Sequence, residues 1–124
     1  MFTNFVTAVQ NQDKRNIFKT FSGDVSSVPK GLQEFYKNSN PIDVEIRMDN
    51  HSQIRFYSVD CLSAIKEEYK LPESVFFFAT MNGDPIYYKE GKIYAEAHGG
   101  VSKPELLANS FTEYIQFVLN HLRR

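Results

Sequence analysis

Cysteine, tryptophan and long apolar runs are scarce in this chain of 124 residues. The single cysteine, Cys61, excludes an intramolecular disulfide and favours a reducing, cytosolic compartment. The longest apolar run, VFFFA at 75–79, is far shorter than the about 20 residues that a membrane-spanning helix needs. The N-terminus MFTNFVTAVQ has neither a basic region nor an unbroken apolar segment. The sequence therefore predicts no signal peptide and no membrane association.

A net charge is also lacking, because 14 Lys+Arg and 15 Asp+Glu leave a formal charge of −1. The basic field that nucleic-acid-binding proteins use is therefore absent. The acidic side chains are concentrated in the middle of the chain: residues 41–68 carry three basic and six acidic side chains, and residues 41–100 carry six and ten. Tyrosines on strands can stack single-stranded bases, but this balance opposes a phosphate chain. The tyrosines considered for such a platform are Tyr57, Tyr87, Tyr88 and Tyr94.

Recognisable catalytic and metal-binding motifs are missing as well. The histidines His51, His98 and His121 have no second ligand at metal spacing, so we predict no metal and no cofactor. Cys61 has no histidine nearby in sequence, which favours a small, partly buried filler over a nucleophile. The enzymatic alternative left open is a small hydrolase that uses Asp84 with His98 as an acid/base pair.

Aromatic residues, by contrast, are abundant. Eleven Phe and seven Tyr within a hydrophobic share of 42% predict one compact domain, residues 1–124, with an aromatic core. Phe2, Phe5 and Val9 have the spacing of a first helix, which Thr3 or Asn4 could cap.

Two segments precede the first predicted strand. Residues 16–28 fit either a short helix or a loop, and residues 1–27 are expected to form an N-terminal helical part. Pro29 at a first-turn position predicts a helix through GLQEFYKNS (31–39).

Two further helices carry capping signals. Ser58 can cap a helix that runs to Tyr69, and Ser110 with Glu113 forms a capping box for a helix to Leu122.

Alternating residues predict a β-hairpin. In IDVEIRM (42–48) the apolar residues Ile42, Val44, Ile46 and Met48 are expected to point inward, and QIRFY (53–57) repeats the alternation. The opposite face of this hairpin is expected to be polar and exposed to solvent.

The following segment predicts three more strands. VFFFAT (75–80) is apolar on both faces, with Val75, Phe77 and Ala79 on one side, which indicates a central strand. Tight turns at Asn82-Gly83 and Glu90-Gly91 lead to PIYY and KIYAEA. The predicted fold class is α+β: a single domain with an antiparallel sheet of about five strands and flanking helices.

The polar face of the hairpin and the NGD turn are the candidate contact surface for a protein partner. An ordinary solvated strand face explains the hairpin pattern about equally well. The candidate partner-binding residues are Asp43, Glu45, Arg47, Arg55, Tyr57, Asn82, Asp84 and Tyr87.

The order of these segments is similar to that of the SUKH superfamily. The resemblance covers residues 28–118 and rests on VPKGLQEFYKNSNPIDVEI, IRFYSVDCL, VFFFATMNGDPIYYKEGKIYAEAHG and NSFTEYIQFV. That superfamily groups fungal cell-wall-synthesis regulators with bacterial immunity proteins.

The resemblance implies a non-enzymatic α+β binding module. It points to a cytoplasmic immunity protein that neutralises a cognate polymorphic toxin, which for members of this superfamily is often a nuclease, by direct binding. An acidic surface would suit this role, because it can imitate a phosphate backbone in a basic nuclease cleft. The alternative that the resemblance leaves open is a regulatory or scaffold protein like the fungal members.

Overall fold

The computed structural model describes residues 2–96 and 103–124. Its helices are α1 (Thr3–Gln12), α2 (Lys30–Ser39), α3 (Leu62–Glu68), which follows a 3-10 turn at Val59–Cys61, and α4 (Phe111–His121). Its strands are β1 (Ile17–Lys19), β2 (Asn40–Arg47), β3 (Gln53–Tyr57), β4 (Phe76–Met81), β5 (Asp84–Lys89), β6 (Lys92–Ala95) and β7 (Glu105–Ala108).

The strands form one antiparallel sheet in which each strand pairs with the next along the chain, from β1 to β7. The α+β class with flanking helices is confirmed, but within the described residues the sheet has seven strands rather than about five. The two strands that were not predicted, β1 with three residues and β7 with four, lie at the edges of the sheet. β6 is equally short, but the Glu90-Gly91 turn before it marked it in the sequence, and no such turn marks β1 or β7.

Three helices, α1, α2 and α4, cover one face of the sheet. Phe35 of α2 packs its ring against Phe56 of β3 and Phe111 of α4, with centroids 6.0 and 5.2 Å apart. Phe78 of β4 meets the same Phe111 at 5.4 Å. Phe5 of α1 contacts Phe56 at 5.8 Å, so the N-terminal helix belongs to this aromatic core.

The central position of β4 and the placement of Phe77 and Phe78 on opposite faces are confirmed, but Ala79 lies on the other face than predicted. Phe77 contacts the rings of Tyr57 and Tyr69 on the side away from the core helices. Ala79 is in register with Phe56, and therefore lies on the core side. A register irregularity between Phe77 and Ala79 reverses the alternation, because the extra residue at a β-bulge shifts the side chains that follow to the other face.

A similar irregularity explains Ile42, which was expected to point inward but is 41% exposed. Asp43 pairs with Ile17 and Pro41 with Phe18, so Ile42 is left without a partner in the β1–β2 ladder. Cys61 also differs from the prediction, because it is exposed rather than a partly buried filler.

The two predicted tight turns are present. Asn82 and Gly83 have φ values of 52° and 87°, and Glu90 and Gly91 have 51° and 86°, which is the left-handed pair that a two-residue hairpin requires. Met81 pairs with Asp84, so the second strand of the first hairpin begins at Asp84 rather than at Pro85.

The helix caps are only partly as predicted. Ser110 accepts a hydrogen bond from the Glu113 N–H at 3.0 Å, which confirms one half of the capping box, while the Glu113 carboxylate accepts from the Asn109 N–H. α1 has no side-chain cap, since Thr3 is already helical. The Ser58 hydroxyl donates to Asp60 instead of capping the backbone.

Candidate functional site

The exposed side of the β2–β3 hairpin gathers five of the eight predicted site residues. Asp43 is in register with Tyr57, and Glu45 with Arg55, so these four side chains form two cross-strand rows on one face. Arg47 continues the face at its end. The alternation in the sequence thus placed these residues together, and we call the surface of Asp43, Glu45, Arg47, Arg55 and Tyr57 the hairpin face.

The hairpin face is balanced in charge rather than acidic. Arg55 donates to the Asp43 carboxylate at 3.2 Å, and its guanidinium lies 5.6 Å from the centre of the Tyr57 ring. With Glu45 and Arg47, the face carries two carboxylates and two guanidiniums. The acidic excess of residues 41–68 comes from residues outside the face. These are Asp49 in the hairpin turn, Asp60 in the 3-10 turn, Glu67 and Glu68 in α3. The expected imitation of a phosphate backbone by this face is therefore not supported by its geometry.

Asn16 fixes the backbone of this hairpin from the side. Its side-chain Nδ2 donates to the carbonyl oxygens of Val9 and Glu45 at 3.1 and 3.0 Å, and its Oδ1 accepts from the Glu45 N–H at 2.9 Å. β1 begins at Ile17, opposite Asp43, and does not reach Glu45. The Asn16 side chain therefore makes the hydrogen bonds that a neighbouring strand would make beside Glu45. The residue is buried, so these hydrogen bonds are shielded from water.

Gln12 performs the same role two residues further along β2. Its amide donates to the Arg47 carbonyl at 2.7 Å and accepts from the Arg47 N–H at 2.7 Å. It also donates to the Arg123 carbonyl at 2.8 Å, and the Arg123 N–H donates to the Arg47 carbonyl at 2.8 Å. The end of α1, the end of β2 and the C-terminal segment are therefore joined at one place.

This junction brings further arginines beside the hairpin face. A groove of about 800 Å³ is lined by Arg15, Arg123 and Arg124 together with Asp43, Glu45, Arg47 and Arg55 of the hairpin face. Asp13 also lines it, and Arg15 donates to the Asp13 carboxylate at 2.8 Å. We call this surface the arginine groove.

The charges within the arginine groove influence one another. Hydrogen bonds from Arg15 lower the pKa of Asp13 to about 2, and the nearby Arg47 guanidinium acts in the same direction. The pKa of Arg15 is raised, first by Asp13 and then also by Glu45 and Asp43. The Asp13 carboxylate is therefore ionised throughout the physiological pH range.

Asn82, another predicted contact residue, makes two hydrogen bonds to the backbone of β3. Its N–H donates to the Gln53 carbonyl at 2.9 Å and its Oδ1 accepts from the Gln53 N–H at 3.0 Å. The NGD turn is thus attached to the start of β3, beside the hairpin turn. Asn82 remains exposed and lies near the end of the hairpin face.

The structure separates Asp84 from the hairpin face. Asp84 pairs with Met81, which pairs with Ile54, so it lies in a cross-strand row different from those of Asp43 and Glu45. The side chain is half-buried, and its charge contributes to the raised pKa of Tyr69, which arises first from burial. His98, the other half of the hydrolase alternative, lies outside the described residues.

Tyr87 does not have the exposure that a contact residue requires. It is 4% exposed, and its ring stacks on Tyr94 at a centroid distance of 6.0 Å. Its hydroxyl donates to Glu96 at 3.2 Å; burial, and then the Glu96 carboxylate, raise the pKa of Tyr87 to about 12. The sequence could not show this, because β5 alternates in the same way whether or not its outer side is covered.

Within residues 2–96 and 103–124, no group of three or more His, Cys, Asp or Glu side chains has the arrangement of a metal site. None of the helices described there is long and apolar enough to cross a membrane.

Sequence reasoning missed the residues that complete the arginine groove. Asn16 and Gln12 are polar residues near the end of a helix, and Arg123 and Arg124 stand more than seventy residues beyond β2 in the chain. No local pattern links such distant positions. The only signal available was the basic pair at the C-terminal end.

A comparison with protein-family models identifies one family. Residues 26–116 match the SMI1 / KNR4 family (SUKH-1), and this range contains the hairpin face and the NGD turn. No curated protein and no solved structure matches the chain. Because the matched range spans most of the chain, the chain belongs to the SMI1 / KNR4 family (SUKH-1) of the SUKH superfamily.

Proposed function

We propose that this protein is a non-enzymatic binding module, and that it acts in the cytoplasm as an immunity protein that neutralises a cognate polymorphic toxin by direct binding. The hairpin face is the proposed contact surface. Membership of the SUKH-1 family supports a binding role, and the family resemblance is the source of the toxin as partner.

The observation that carries the proposal is the exposed but rigid hairpin face. Its backbone is held from the side by Asn16 and Gln12, and its inner side chains are part of the aromatic core. On the outside, the Asp43 and Arg55 side chains remain 71% and 51% exposed. A polar surface that is fixed before binding loses little conformational entropy on association, which favours specific recognition.

A regulatory or scaffold role is the second candidate, because the matching family model carries the SMI1 / KNR4 name. That role would use the same surface for a different partner. The two candidates differ in the identity of the partner and not in the chemistry of the face, so an assay for toxin neutralisation separates them.

The test is co-expression with the product of the neighbouring gene in the source genome. We expect that product to arrest growth when it is expressed alone, and that wild-type protein restores growth and co-purifies with it. A neighbouring product that is not toxic, together with no protection against any toxin of the same gene cluster, would reject the immunity role.

The hydrolase alternative is tested with the same assay. Asp84→Asn and His98→Ala should protect as well as the wild type, because the proposal assigns no chemistry to either residue. Loss of protection in both variants, with unchanged folding and affinity for the toxin, would show that these side chains react rather than bind.

A further inference from the structure

Among the described residues, the arginine groove is lined by more cations than carboxylates. Five arginines and three carboxylates line it. Arg15 is paired with Asp13 and Arg55 with Asp43. Within the described residues, the side chains of Arg47, Arg123 and Arg124 have no carboxylate at ion-pair distance.

Backbone hydrogen bonds hold together the two segments that carry Arg47 and Arg123. The Arg47 carbonyl accepts from both the Gln12 side chain and the Arg123 N–H. An isolated bridge between Met48 and Leu122 extends the same junction. Arg47 and Arg123 therefore start from adjacent, hydrogen-bonded backbone positions, and their side chains line the same groove.

The groove combines residues from two parts of the chain. Its hairpin residues lie within the range that matches the SUKH-1 family, whereas Arg15, Arg123 and Arg124 lie outside residues 26–116. These flanking arginines give the groove an excess of guanidiniums beside a face of balanced charge. A charged surface of this kind can favour one partner over others.

We propose that the arginine groove binds an acidic segment of the partner protein, with Arg47 and Arg123 as the principal cationic contacts. This inference deepens the proposed function and rests on it only for the existence of a protein partner. If the partner is a nuclease toxin, the groove meets an acidic surface away from the basic cleft that holds nucleic acid.

The charge pattern favours discrete carboxylates over a phosphate chain. A continuous polyanion would bring its phosphates close to Asp13, Asp43 and Glu45, which line the same groove. A protein segment can place its carboxylates beside the unpaired guanidiniums and leave the remaining space to neutral or basic side chains. Arginine is also suited to carboxylates, because its planar guanidinium offers paired donors.

The inference is tested by a nuclear magnetic resonance titration of the full chain. The probe is a short peptide of alternating glutamate and glycine; the comparison probes are its glutamine analogue and a single-stranded DNA of equal length. We expect the glutamate peptide to shift the backbone amides of Gln12, Arg47 and Arg123 and the binding to weaken as salt is added, because exposed charges are screened. The glutamine analogue should leave these amides unchanged.

Variants assign the effect to the cations. The double substitution Arg47→Glu with Arg123→Glu should weaken peptide binding by about four- to twenty-five-fold, since each exposed ion pair contributes roughly two- to five-fold. The matched control is Lys89→Glu with Lys92→Glu, which makes the same change of charge at exposed positions of the β5–β6 hairpin and should bind as the wild type does. Arg47→Gln with Arg123→Gln is a milder version that retains the backbone hydrogen bonds.

Two results would overturn the inference. One is the absence of shifts at the groove with the glutamate peptide, and the other is binding of the DNA at lower concentration than the peptide, which would indicate a nucleic-acid site. Neither result depends on the toxin. Conversely, if the arginine variants protect against a toxin as well as the wild type does, the groove inference fails while the immunity role stands.

Discussion

At the scale of single residues, two tyrosines in the core are unusual. Tyr36 and Tyr114 are completely or almost completely buried, and their hydroxyl groups have no hydrogen-bond partner among the residues that the structure describes. Burial raises the pKa of both phenols well above its ordinary value, so both remain protonated. A buried hydroxyl without a partner costs about 1–3 kcal/mol of stability.

We therefore expect Tyr36→Phe to raise the free energy of unfolding by about 1 kcal/mol, because the ring contacts remain while the unpaired hydroxyl is removed. Urea denaturation measures the change. The matched control is Tyr57→Phe, which removes a hydroxyl that shares a hydrogen bond of 3.1 Å with Thr80 and should lower stability. A loss of stability in Tyr36→Phe would mean that a buried water satisfies this hydroxyl.

The residue scale also shows where sequence patterns succeed. The positions of Asp43, Glu45, Arg47, Arg55 and Tyr57 on one face follow directly from strand alternation, which is a local property. The burial of Tyr87 and the separation of Asp84 from the face depend on what covers each strand and on its register. Those are properties of the tertiary structure, which local patterns in a single sequence do not predict.

At the scale of elements, the edge of β2 is completed by side chains instead of by a strand. β1 pairs with β2 only as far as Asp43, after which Asn16 and then Gln12 supply the hydrogen bonds. Unpaired strand edges attract other chains, so their coverage is a requirement of a soluble sheet protein. The coverage also fixes the hairpin face that we propose as the contact surface.

We predict that Asn16→Ala lowers the free energy of unfolding by about 3 kcal/mol, because it leaves the N–H and the carbonyl of Glu45 without partners. Asn11→Ala is the control, since Asn11 is exposed in α1 and should change stability by no more than about 0.5 kcal/mol. Chemical denaturation and hydrogen exchange at the Glu45 amide give the comparison. Equal stabilities of the two variants would show that Asn16 does not hold the edge.

The predicted elements are those with enough residues to show a period or with a marked turn beside them. The hairpin at β2–β3, the central strand β4 and helix α4 show their periodicity, and the Glu90-Gly91 turn marks the short strand β6. β1 and β7 have neither signal. β4 was placed correctly, but its bulge moved Ala79 to the other face, since one extra residue cannot be recognised in a run of phenylalanines.

At the scale of the whole molecule, the distribution of charge changes when the chain folds. The segment at 41–68 is acidic in sequence, yet its exposed hairpin face carries equal numbers of positive and negative charges. The adjacent groove has an excess of positive charge, because arginines from the N-terminal and C-terminal parts of the chain also line it. Charge summed along a sequence is therefore a poor guide to the partner. Charge summed over a surface indicates which chemistry can bind there.

The central claim is that the hairpin face recognises a protein partner, and a charge swap tests it most directly. Asp43→Arg combined with Arg55→Asp retains the net charge and the possibility of the ion pair, but reverses the pattern that a partner meets. Calorimetric titration with the purified partner from the co-expression experiment measures the affinity. We predict that the swap leaves thermal stability nearly unchanged and weakens binding at least about tenfold, because reversed charges oppose their former partners. Binding as tight as that of the wild type would contradict the claim.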